Sequence, residues 1–310
     1  MHDERYSTTR SLVPIAPWEV HGLAGGLRTR GFGKSSTPDL PLISVATVVF
    51  NGSAHLRQTI ESVLSQPYPN VEYVIVDGGS TDGTLDIIRS FEHAIDYWIS
   101  EPDGGIYDAM NKGIRLATGS YVGLLNADDW YQHNTIPLVA DAVQKNPADI
   151  VFGKKVLIDD DGLAKIIAVP VPSRGDINNA IHRVHPTVFA KRSIYDRFTF
   201  DTKYRISADL NFFFETINAG CTAHAIDAVI TYVRAGGASR GFHLEDARIR
   251  RRHFGRLQGW RYALHKQIRR RKSKLSRKLR SPEERRRRKL ASGWVPVSDY
   301  LSDHGDSGDV

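Results

Sequence analysis

Cysteine and long apolar runs are the scarcest features of this sequence. A single cysteine, Cys221, occurs in 310 residues, which excludes an internal disulfide framework and a zinc site built on cysteines. No stretch approaches the roughly 18 consecutive apolar residues of a membrane-spanning helix. The short apolar segment 12–20 contains Pro14 and Pro17, so we do not expect a signal peptide there. These absences favour a globular chain that folds in a reducing compartment.

Positive charge is plentiful but unevenly distributed. The formal net charge is +7, yet 20 of the 42 Lys and Arg residues lie between Arg248 and Lys289, beside only two acids. The remaining sequence contains 22 basic and 33 acidic residues. We therefore expect an acidic body with a cationic extension, and the two parts are interpreted separately.

Composition and pattern divide the chain into four parts. Residues 1–40 are rich in Gly, Ser, Thr, Arg and Pro and are expected to be disordered. Residues 41–240 carry the strand and helix patterns of the main α/β domain. Residues 241–290 are predicted to form a basic amphipathic helical extension, and residues 291–310 an acidic, flexible tail.

A strand–helix–strand unit opens the main domain. Leu42–Phe50 is a nearly continuous β-branched run, typical of a strand covered on both faces. Apolar residues then recur at helical spacing between Leu56 and Gln66, and Val71–Val76 is a second strand. Such a unit predicts a mostly parallel, Rossmann-like sheet with flanking helices. It lacks the Gly-x-Gly-x-x-Gly and P-loop fingerprints, which argues against a dinucleotide oxidoreductase and a P-loop nucleotide hydrolase.

Polar side chains follow the ends of the predicted strands. Asn51 follows the first strand, and Asp77 with Gly78 and Gly79 follows the second. Ligands of open α/β sheets bind beyond the carboxyl ends of the strands, and the glycines would let a ring or a ribose approach the backbone. The alternative for Asp77 is a turn residue, since Asp-Gly is a common turn dipeptide.

The next strand end leads into a glycine-rich loop and a helix. Asp103 lies in this loop, and Asp108 and Lys112 follow it on the helix. Lys112 could reach a diphosphate, and the two carboxylates could accept hydrogen bonds from sugar hydroxyls. A solvated helix face explains the same residues, and for Lys112 alone it is the favoured interpretation.

The fourth strand end carries the most informative cluster. Tyr121–Leu125 is a buried-strand run, and Asn126, Asp128 and Asp129 follow it. Asn126 and Asp128 are two residues apart, so their oxygens would face one point and suit Mg²⁺ or Mn²⁺. The alternative is that Asp128 or Asp129 caps a helix beginning near Trp130. The cluster alone favours neither interpretation.

In this order, the strand ends resemble those of the family 2 glycosyltransferases, which have the GT-A fold. The resemblance covers roughly residues 41–237 and is carried by Asn51, Asp77–Thr84, Asn111–Ile114 and Asn126–Asp129. The run Asp103–Gly113 resembles the bacterial subgroup that builds O-antigen, capsule and exopolysaccharide. Each motif is weak alone, but the ordered set is a strong signal.

The resemblance implies a metal-dependent, inverting glycosyltransferase. Its donor would be a nucleoside diphosphate sugar, with UDP favoured, its cofactor Mn²⁺ or Mg²⁺, and its acceptor a glycan or a polyprenyl-linked glycan. Asp77 matches the family's residue that contacts the nucleotide base. Asn126-Ala-Asp128 matches its Asp-x-Asp motif, with Asn in place of the first carboxylate, and Asp129 is expected to join these two residues in holding the metal ion. Asp209 matches the late acidic residue that acts as the catalytic base. The expected donor-binding set is completed by Asn51, Gly79, Asp103 and Lys112.

Three residues of the second half have more than one interpretation. Asp209 would otherwise be a carboxylate favoured by the dipole at a helix N-terminus. His185 would contact the donor or the acceptor, or else be a core histidine. His243 would supply a third metal ligand. It follows the strand and loop of residues 231–239, and such loops often fold over a bound donor.

The basic extension has an apolar helical stripe. Leu257, Trp260, Leu264 and Ile268 recur at helical spacing among Lys and Arg residues. A cationic amphipathic helix with Trp on its apolar face suits an anionic membrane surface. Residues 248–290 are therefore expected to hold a cytoplasmic protein at the inner face of the cell membrane. Packing against the acidic body is the alternative, and nucleic-acid binding ranks lower because stacking aromatics are sparse.

Two other functional classes stay open at this point. Asn126, in place of a carboxylate, is compatible with an inactive protein that binds a nucleotide sugar or a glycan. The basic extension is compatible with a nucleic-acid or membrane-surface adaptor that uses the main domain as a scaffold.

Overall fold

A mixed sheet of eleven strands organises the chain in a computed structural model, which describes residues 6, 8, 12–14, 23–171, 181–236, 244–279 and 281–304. The strands are β1 (Val13–Pro14), β2 (Leu23–Gly25), β3 (Phe32–Gly33), β4 (Ile43–Val49), β5 (Val71–Asp77), β6 (Tyr97–Ser100), β7 (Tyr121–Asn126), β8 (Trp130–Tyr131), β9 (Ile150–Ile158), β10 (Leu163–Ile167), β11 (Phe189–Lys191), β12 (Ala223–Arg234) and β13 (Val295–Pro296). The helices are α1 (Leu56–Leu64), α2 (Thr84–Ser90), α3 (Ile106–Leu116), α4 (Thr135–Lys145), α5 (Arg192–Arg197), α6 (Ala208–Asn218), α7 (Leu244–Phe254), α8 (Arg256–Leu279), α9 (Pro282–Ala291) and α10 (Val297–His304). Strands β1 and β3 form a separate antiparallel pair.

Four parallel strands in the order β7-β4-β5-β6 form the centre of the sheet. Every residue of β4 and β5 is buried, because helices cover both faces of this part of the sheet. Alternate residues of β4 point to opposite faces, so Val45 packs in one core cluster and Ala46 in the other. The α/β architecture predicted from the continuous apolar runs is therefore confirmed.

The register brings the carboxyl ends of these strands to one edge. Val48 pairs with Asn126, and Val49 pairs with Asp77, which in turn pairs with Ser100. Side chains that are far apart in sequence therefore lie side by side where each parallel strand ends.

The second half extends the sheet with a different topology. Strand β9 is antiparallel to β10 and β11 but parallel to β12, and β12 also pairs with β8. The sequence indicates a strand over residues 185–190. The structure instead has a 3₁₀ segment at Ile181–Thr187, followed by the short β11. Pro186 lacks an N–H for a strand ladder, which explains the difference.

Residues 23–40, expected to be disordered, are folded against the main domain. Strand β2 is antiparallel to β6, and a 3₁₀ turn at Leu27–Arg30 follows it. The buried Arg28 side chain pairs with Glu72, and the buried Lys34 Nζ lies 2.8 Å from Asp96 Oδ2. A composition rich in Gly and Arg does not reveal these pairs, since each partner lies more than 40 residues away.

Glu72 is the centre of this buried polar network. Burial alone would raise the pKa of Glu72, but the Arg28 guanidinium and hydrogen bonds from Ser44 and Thr118 hold it below its usual value. The carboxylate is therefore charged and fully paired inside the protein, which ties the N-terminal segment to β4 and β5.

The C-terminal segment 281–304 also packs on the main domain. Strand β13 is antiparallel to β10, and Lys289 contacts Asp159 and Asp161 at the tip of the β9–β10 hairpin. Tyr300 is buried in an aromatic and aliphatic cluster with Trp130. The sequence indicates a flexible tail from residue 291, whereas a strand and a helix occupy residues 295–304. Residues 305–310 lie outside the described part of the chain.

Helices α7 and α8 connect the main domain to this segment. Ile249 of α7 is fully buried against Leu210 and Phe214 of α6. A Cβ on the buried Gly259 of α8 would lie 2.8 Å from the Ala247 oxygen of α7, so the two helices are in close contact. Among the described helices, none combines the length and the apolar character needed to cross a bilayer.

Replacement of Arg28 by Ala is expected to lower the free energy of unfolding by about 3 kcal/mol or more, because it leaves the Glu72 charge buried without its cation. Arg30→Ala in the same turn is the matched control. Arg30 is half exposed and lies 4.0 Å from Glu92, so its loss should change stability by less than about 0.5 kcal/mol. Denaturant titrations measure both, and equal effects would contradict the buried network.

Candidate functional site

Asn51 and Asp77 occupy adjacent strand ends and shape one turn. Asn51 has a φ of 51°, in the left-handed region, and its Oδ1 accepts a hydrogen bond from Thr81 N at 2.9 Å. Its own N–H donates to Ser80 Oγ at 2.7 Å. Left-handed backbone is costly for a residue other than Gly but least so for Asn, so these bonds fix an unusual turn at the sheet edge.

The Asp77 carboxylate is fully buried and engaged on both oxygens. Ser80 N and Ser80 Oγ donate to it, as does Ser100 Oγ at 2.6 Å. The structure thus places Asp77 at the predicted strand end and gives it the role of fixing the turn through Gly79, whose φ is +82°. Contact between Asp77 and a nucleotide base stays a prediction.

Asp103, Asp108 and Lys112 hold the glycine-rich loop before α3. Asp103 Oδ1 accepts from Gly105 N at 2.7 Å, and Asp108 Oδ2 accepts from Gly104 N at 3.0 Å. Lys112 Nζ lies 2.8 Å from Glu101 Oε1. The lysine is therefore paired with a carboxylate, in keeping with the helix-face interpretation, and its contact with a diphosphate stays a prediction.

The Asn126–Asp129 turn combines a buried acid with unpartnered oxygens. Asn126 Oδ1 is buried and accepts no hydrogen bond in the described structure, while Asn126 Nδ2 donates to Asp129 Oδ2 at 3.2 Å. Asp128 is half-buried, and within the described residues no group donates a hydrogen bond to its carboxylate. Thr59 Oγ1 fixes the turn by donating to the carbonyl oxygens of residues 127 and 129.

The Asp129 carboxyl group of this turn has a raised pKa. Burial, followed by the neighbouring Asp128 charge, raises the pKa of Asp129 to about 8. Asp129 is 2% exposed, so it is a largely neutral partner of Asn126 at pH 7. Among the described residues no three His, Cys, Asp or Glu side chains form a metal-sized cluster. The oxygens available to an ion are thus those of Asn126 and Asp128.

Of the two histidines singled out in the sequence, His185 lies within the described residues and His243 does not. His185 is buried, with Phe200 and Phe213 edge-on at 5.8 Å between ring centroids. Burial, with a smaller contribution from Lys155, lowers the pKa of His185 to about 4, so it is a neutral core histidine. The position expected for His243, together with residues 237–242 of the loop, lies outside the described residues.

Asp209 lies in the first turn of α6 and beside Tyr107 of α3. Asp209 Oδ1 is 3.1 Å from the Tyr107 hydroxyl and accepts from Leu210 N at 2.8 Å. Burial raises the pKa of Asp209 to about 6. A carboxylate of this kind is deprotonated at pH 7 and is a stronger base than an ordinary aspartate.

A cleft of about 270 Å³ is lined in part by Tyr107. It is formed where the glycine-rich loop and the start of α3 face the segment before α6. Its lining residues are Gly104, Gly105, Ile106, Tyr107, Asp108, Thr202, Tyr204 and Arg205. Aromatic and polar groups around such a space suit a sugar ring, and Tyr107 joins the cleft to the Asp209 carboxylate.

Comparison with known proteins identifies the family. The model of the family described as Glycosyl transferase family 2 matches residues 44–202, which is half of the chain. The chain belongs to glycosyl transferase family 2. Asn51, Asp77 and the Asn126–Asp129 turn lie within the matched region, whereas Asp209 lies beyond its end.

Two curated relatives agree with this assignment. A PGL/p-HBAD biosynthesis glycosyltransferase of Mycobacterium tuberculosis is 30% identical over 210 residues, which cover 64% of this chain and 79% of that protein. The glycosyltransferase GlyG of Streptococcus pneumoniae is 34% identical over 122 residues, covering 38% of this chain and 40% of its own. The protein is therefore a glycosyltransferase.

A solved structure shares the fold at low sequence identity. The Staphylococcus aureus TarS fragment 1–349, in complex with UDP-GlcNAc, superimposes with a TM-score of 0.56 and 18% identity. The match covers 68% of this chain and 64% of that one. The GT-A fold expected from the motif order is thus confirmed.

Arg234 is a residue of this glycosyltransferase that sequence analysis missed. Its guanidinium donates to the Asp128 carbonyl oxygen at 2.9 Å and to Gln58 Oε1 at 2.6 Å, and its Cζ lies 4.4 Å from the Trp130 ring centroid. It therefore adds a fixed positive charge beside the Asn126–Asp129 turn. Its position at the end of β12, like that of the residues after β4 and β7, is the signal that could have revealed it.

Lys155 is a second basic residue near the site. It lies on β9, and burial lowers the pKa of its amine while the charges of Asp129 and Asp209 oppose that change. Lys155 is therefore close enough to both acidic residues for their charges to act on its pKa. Nothing in its local sequence, Gly-Lys-Lys-Val, distinguishes it from a surface lysine.

Proposed function

We propose that this family 2 glycosyltransferase moves a sugar from a nucleoside diphosphate donor, UDP favoured, to a hydroxyl of a lipid-linked or polysaccharide acceptor, with inversion at the anomeric carbon. The pair of oxygens at the end of β7 supports this most directly. Asn126 Oδ1 is buried without a donor, and the carboxylate of Asp128, unlike its carbonyl oxygen, accepts no hydrogen bond within the described residues. A bound UDP-GlcNAc in TarS, which has the same fold, favours UDP.

These oxygens fit a hard divalent cation. Mg²⁺ in nucleotide sites is commonly held by one or two protein oxygens, with substrate phosphates and water completing its shell. Asn126 and Asp128 would hold Mn²⁺ or Mg²⁺ in this way, and the ion would offset negative charge on the departing diphosphate. Replacement of the first family carboxylate by Asn126 keeps an oxygen ligand and removes one negative charge. Arg234, at the end of β12 beside this turn, adds a positive charge that would attract the diphosphate directly.

Asp209 is the proposed catalytic base. The acceptor oxygen attacks the anomeric carbon from the face opposite the diphosphate, its proton passes to the Asp209 carboxylate, and the bond from the anomeric carbon to the diphosphate oxygen breaks. A raised pKa makes the carboxylate a better proton acceptor while leaving it charged at pH 7. The cleft beside Tyr107 is the proposed position of the acceptor sugar.

The exposed side of α8 is the proposed membrane contact. Leu257 and Trp260 are 66% and 63% exposed, and Leu264 and Ile268 continue the same face. The 24-residue helix has no Asp or Glu, so its charge complements an anionic lipid surface. Point substitutions suit its study better than removal of residues 248–310, since that removal would also delete the buried Ile249 and Tyr300.

Asp128→Ala is expected to abolish Mn²⁺-dependent binding of UDP, because it removes the charged ligand of the ion. Isothermal titration calorimetry with UDP, with and without Mn²⁺, measures the effect. Asp141→Ala is the matched control, since Asp141 is an exposed carboxylate whose partner among the described residues is Lys145 on α4. Unchanged UDP binding by Asp128→Ala would remove the metal assignment.

Asp209→Asn is expected to reduce UDP release from UDP-glucose, UDP-galactose or UDP-GlcNAc by at least about 100-fold, because the attacking hydroxyl loses its base. Its affinity for UDP should stay within twofold of wild type. For wild type, kcat/KM should fall as the pH decreases through about 6, where Asp209 becomes protonated. Retained turnover in the variant would exclude Asp209 as the base.

Trp260→Ser with Leu264→Ser is expected to weaken binding to phosphatidylglycerol vesicles at least tenfold, since burial of each side chain contributes roughly 1.5–3 kcal/mol. Vesicle co-sedimentation measures it, with phosphatidylcholine vesicles as the neutral comparison. Leu23→Ser is the matched control, because Leu23 is equally apolar and 52% exposed but lies on β2. Equal binding by both variants would contradict the membrane assignment, and preferential capture of an oligonucleotide would favour the adaptor instead.

A further inference from the structure

We propose that Glu245 and Asp246, at the beginning of α7, are positioning residues that hold the Asp209 carboxylate in place for the reaction. This role rests on the proposed function of Asp209. Both acids lie beyond residue 202, where the family match ends, and in the segment that sequence composition assigns to the basic extension. Helix α7 would then be part of the catalytic centre, although it was expected to be an appendage.

Glu245 binds the chain that leads into α6. Its Oε1 accepts from Arg205 N at 2.9 Å, and its Oε2 accepts from Ile206 N at 2.9 Å and from Ser207 N at 3.1 Å. Three consecutive backbone N–H groups are thus satisfied by one carboxylate. Hydrogen bonds to a charged acceptor are roughly twice as strong as neutral ones, so this contact fixes the path of the chain immediately before the helix.

The Asp246 side chain binds Ser207, the residue directly before α6. Asp246 Oδ1 accepts from Ser207 Oγ at 2.5 Å, and Asp246 Oδ2 accepts from the Tyr262 hydroxyl of α8 at 2.6 Å. Ser207 directly precedes α6, and its carbonyl oxygen accepts from Asn211 N as the first helical bond. The two acids together therefore hold the N-terminus of the helix that carries Asp209 in its first turn.

The peptide of Ile206 joins this contact to the catalytic carboxylate. Its N–H donates to Glu245, while its carbonyl oxygen lies 2.8 Å from the Tyr107 hydroxyl. The same hydroxyl lies 3.1 Å from Asp209 Oδ1. A shift of Ile206 would therefore move Tyr107 and Asp209 relative to each other. General-base catalysis requires the base within hydrogen-bond reach of the attacking hydroxyl, so the rate depends on this geometry.

Asp246 also acts on Asp209 through its charge. After burial, which is the larger cause, the Asp246 carboxylate raises the pKa of Asp209, and hydrogen bonds from Leu210 N and Tyr107 lower it. The other charged groups nearby are Lys155 on β9, which is attracted to Asp209, and Glu245, which acts on Tyr107. Removing the Asp246 charge should therefore lower the pKa of Asp209, whatever its effect on stability.

Glu245→Ala tests whether a loss of activity comes from misplacement of Asp209 or from a weaker contact between α6 and α7. The comparison needs a control variant on the same two helices. Glu215 of α6 lies 3.3 Å from Arg252 of α7, so Glu215→Gln also removes an ionic contact between α6 and α7, about two helical turns after Ser207. We expect Glu245→Ala to lower kcat for UDP release at least tenfold with UDP affinity within twofold, and Glu245→Gln to recover part of the loss. Glu215→Gln should leave kcat unchanged.

The Asp246→Asn variant is tested through the pH dependence of kcat/KM, which a purely structural role of Asp246 would not change. The acidic limb of its kcat/KM profile should shift to lower pH than that of wild type, because Asp209 loses a neighbouring negative charge. This measurement decides the question if Glu245→Ala does not fold. Wild-type kcat in Glu245→Ala, or an unshifted acidic limb in Asp246→Asn, would overturn the proposal.

The Asp209→Asn variant distinguishes failure of the positioning role from failure of Asp209 as the catalytic base. If Asp209→Asn is inactive while the Glu245 and Asp246 variants behave as wild type, Asp209 remains the base and only the positioning role is lost. If Asp209→Asn retains turnover, the assignment of the base itself fails, and with it the positioning role that depends on it.

Discussion

The proposed donor site depends on one buried oxygen at the end of β7, the side-chain oxygen of Asn126. Asn126 Oδ1 is buried without a hydrogen-bond donor in the described structure, which costs roughly 1–3 kcal/mol. The half-buried carboxylate of Asp128 lies two residues further on. Because β7 is next to β4 and β4 is next to β5, a ligand on these oxygens would also meet the turn that Asn51 and Asp77 fix. The sheet order therefore sets the position of the proposed nucleotide-sugar site.

The proposed acceptor side is assembled from parts that are remote in sequence. Tyr107 belongs to the helix after the glycine-rich loop, Asp209 to α6, and Glu245 to α7, yet the Ile206 peptide connects all three. The basic extension thus has two faces with different chemistry. Its acids contact the catalytic half of the molecule, while its exposed stripe around Trp260 faces outward with an excess of positive charge.

Local patterns predicted the parallel core well, and non-local pairing explains most of what they missed. Continuous apolar runs identified β4, β5 and β7, and the polar residues after them are the basis of the proposed donor edge, because both signals lie within a few residues. Arg28 and Lys34 lie in a segment of disordered composition and are buried only because Glu72 and Asp96 pair with them. Similarly, nothing near Glu245 in the sequence indicates that it binds residues 205–207.

A crystal structure with UDP and Mn²⁺, measured at the manganese absorption edge, tests the central claim most directly. We expect an anomalous peak within bonding distance of both Asn126 Oδ1 and an Asp128 carboxylate oxygen, with the diphosphate on the opposite side of the ion. Bound UDP with no manganese at this turn, or with manganese bound elsewhere while Asn126 Oδ1 stays without a partner, would contradict it.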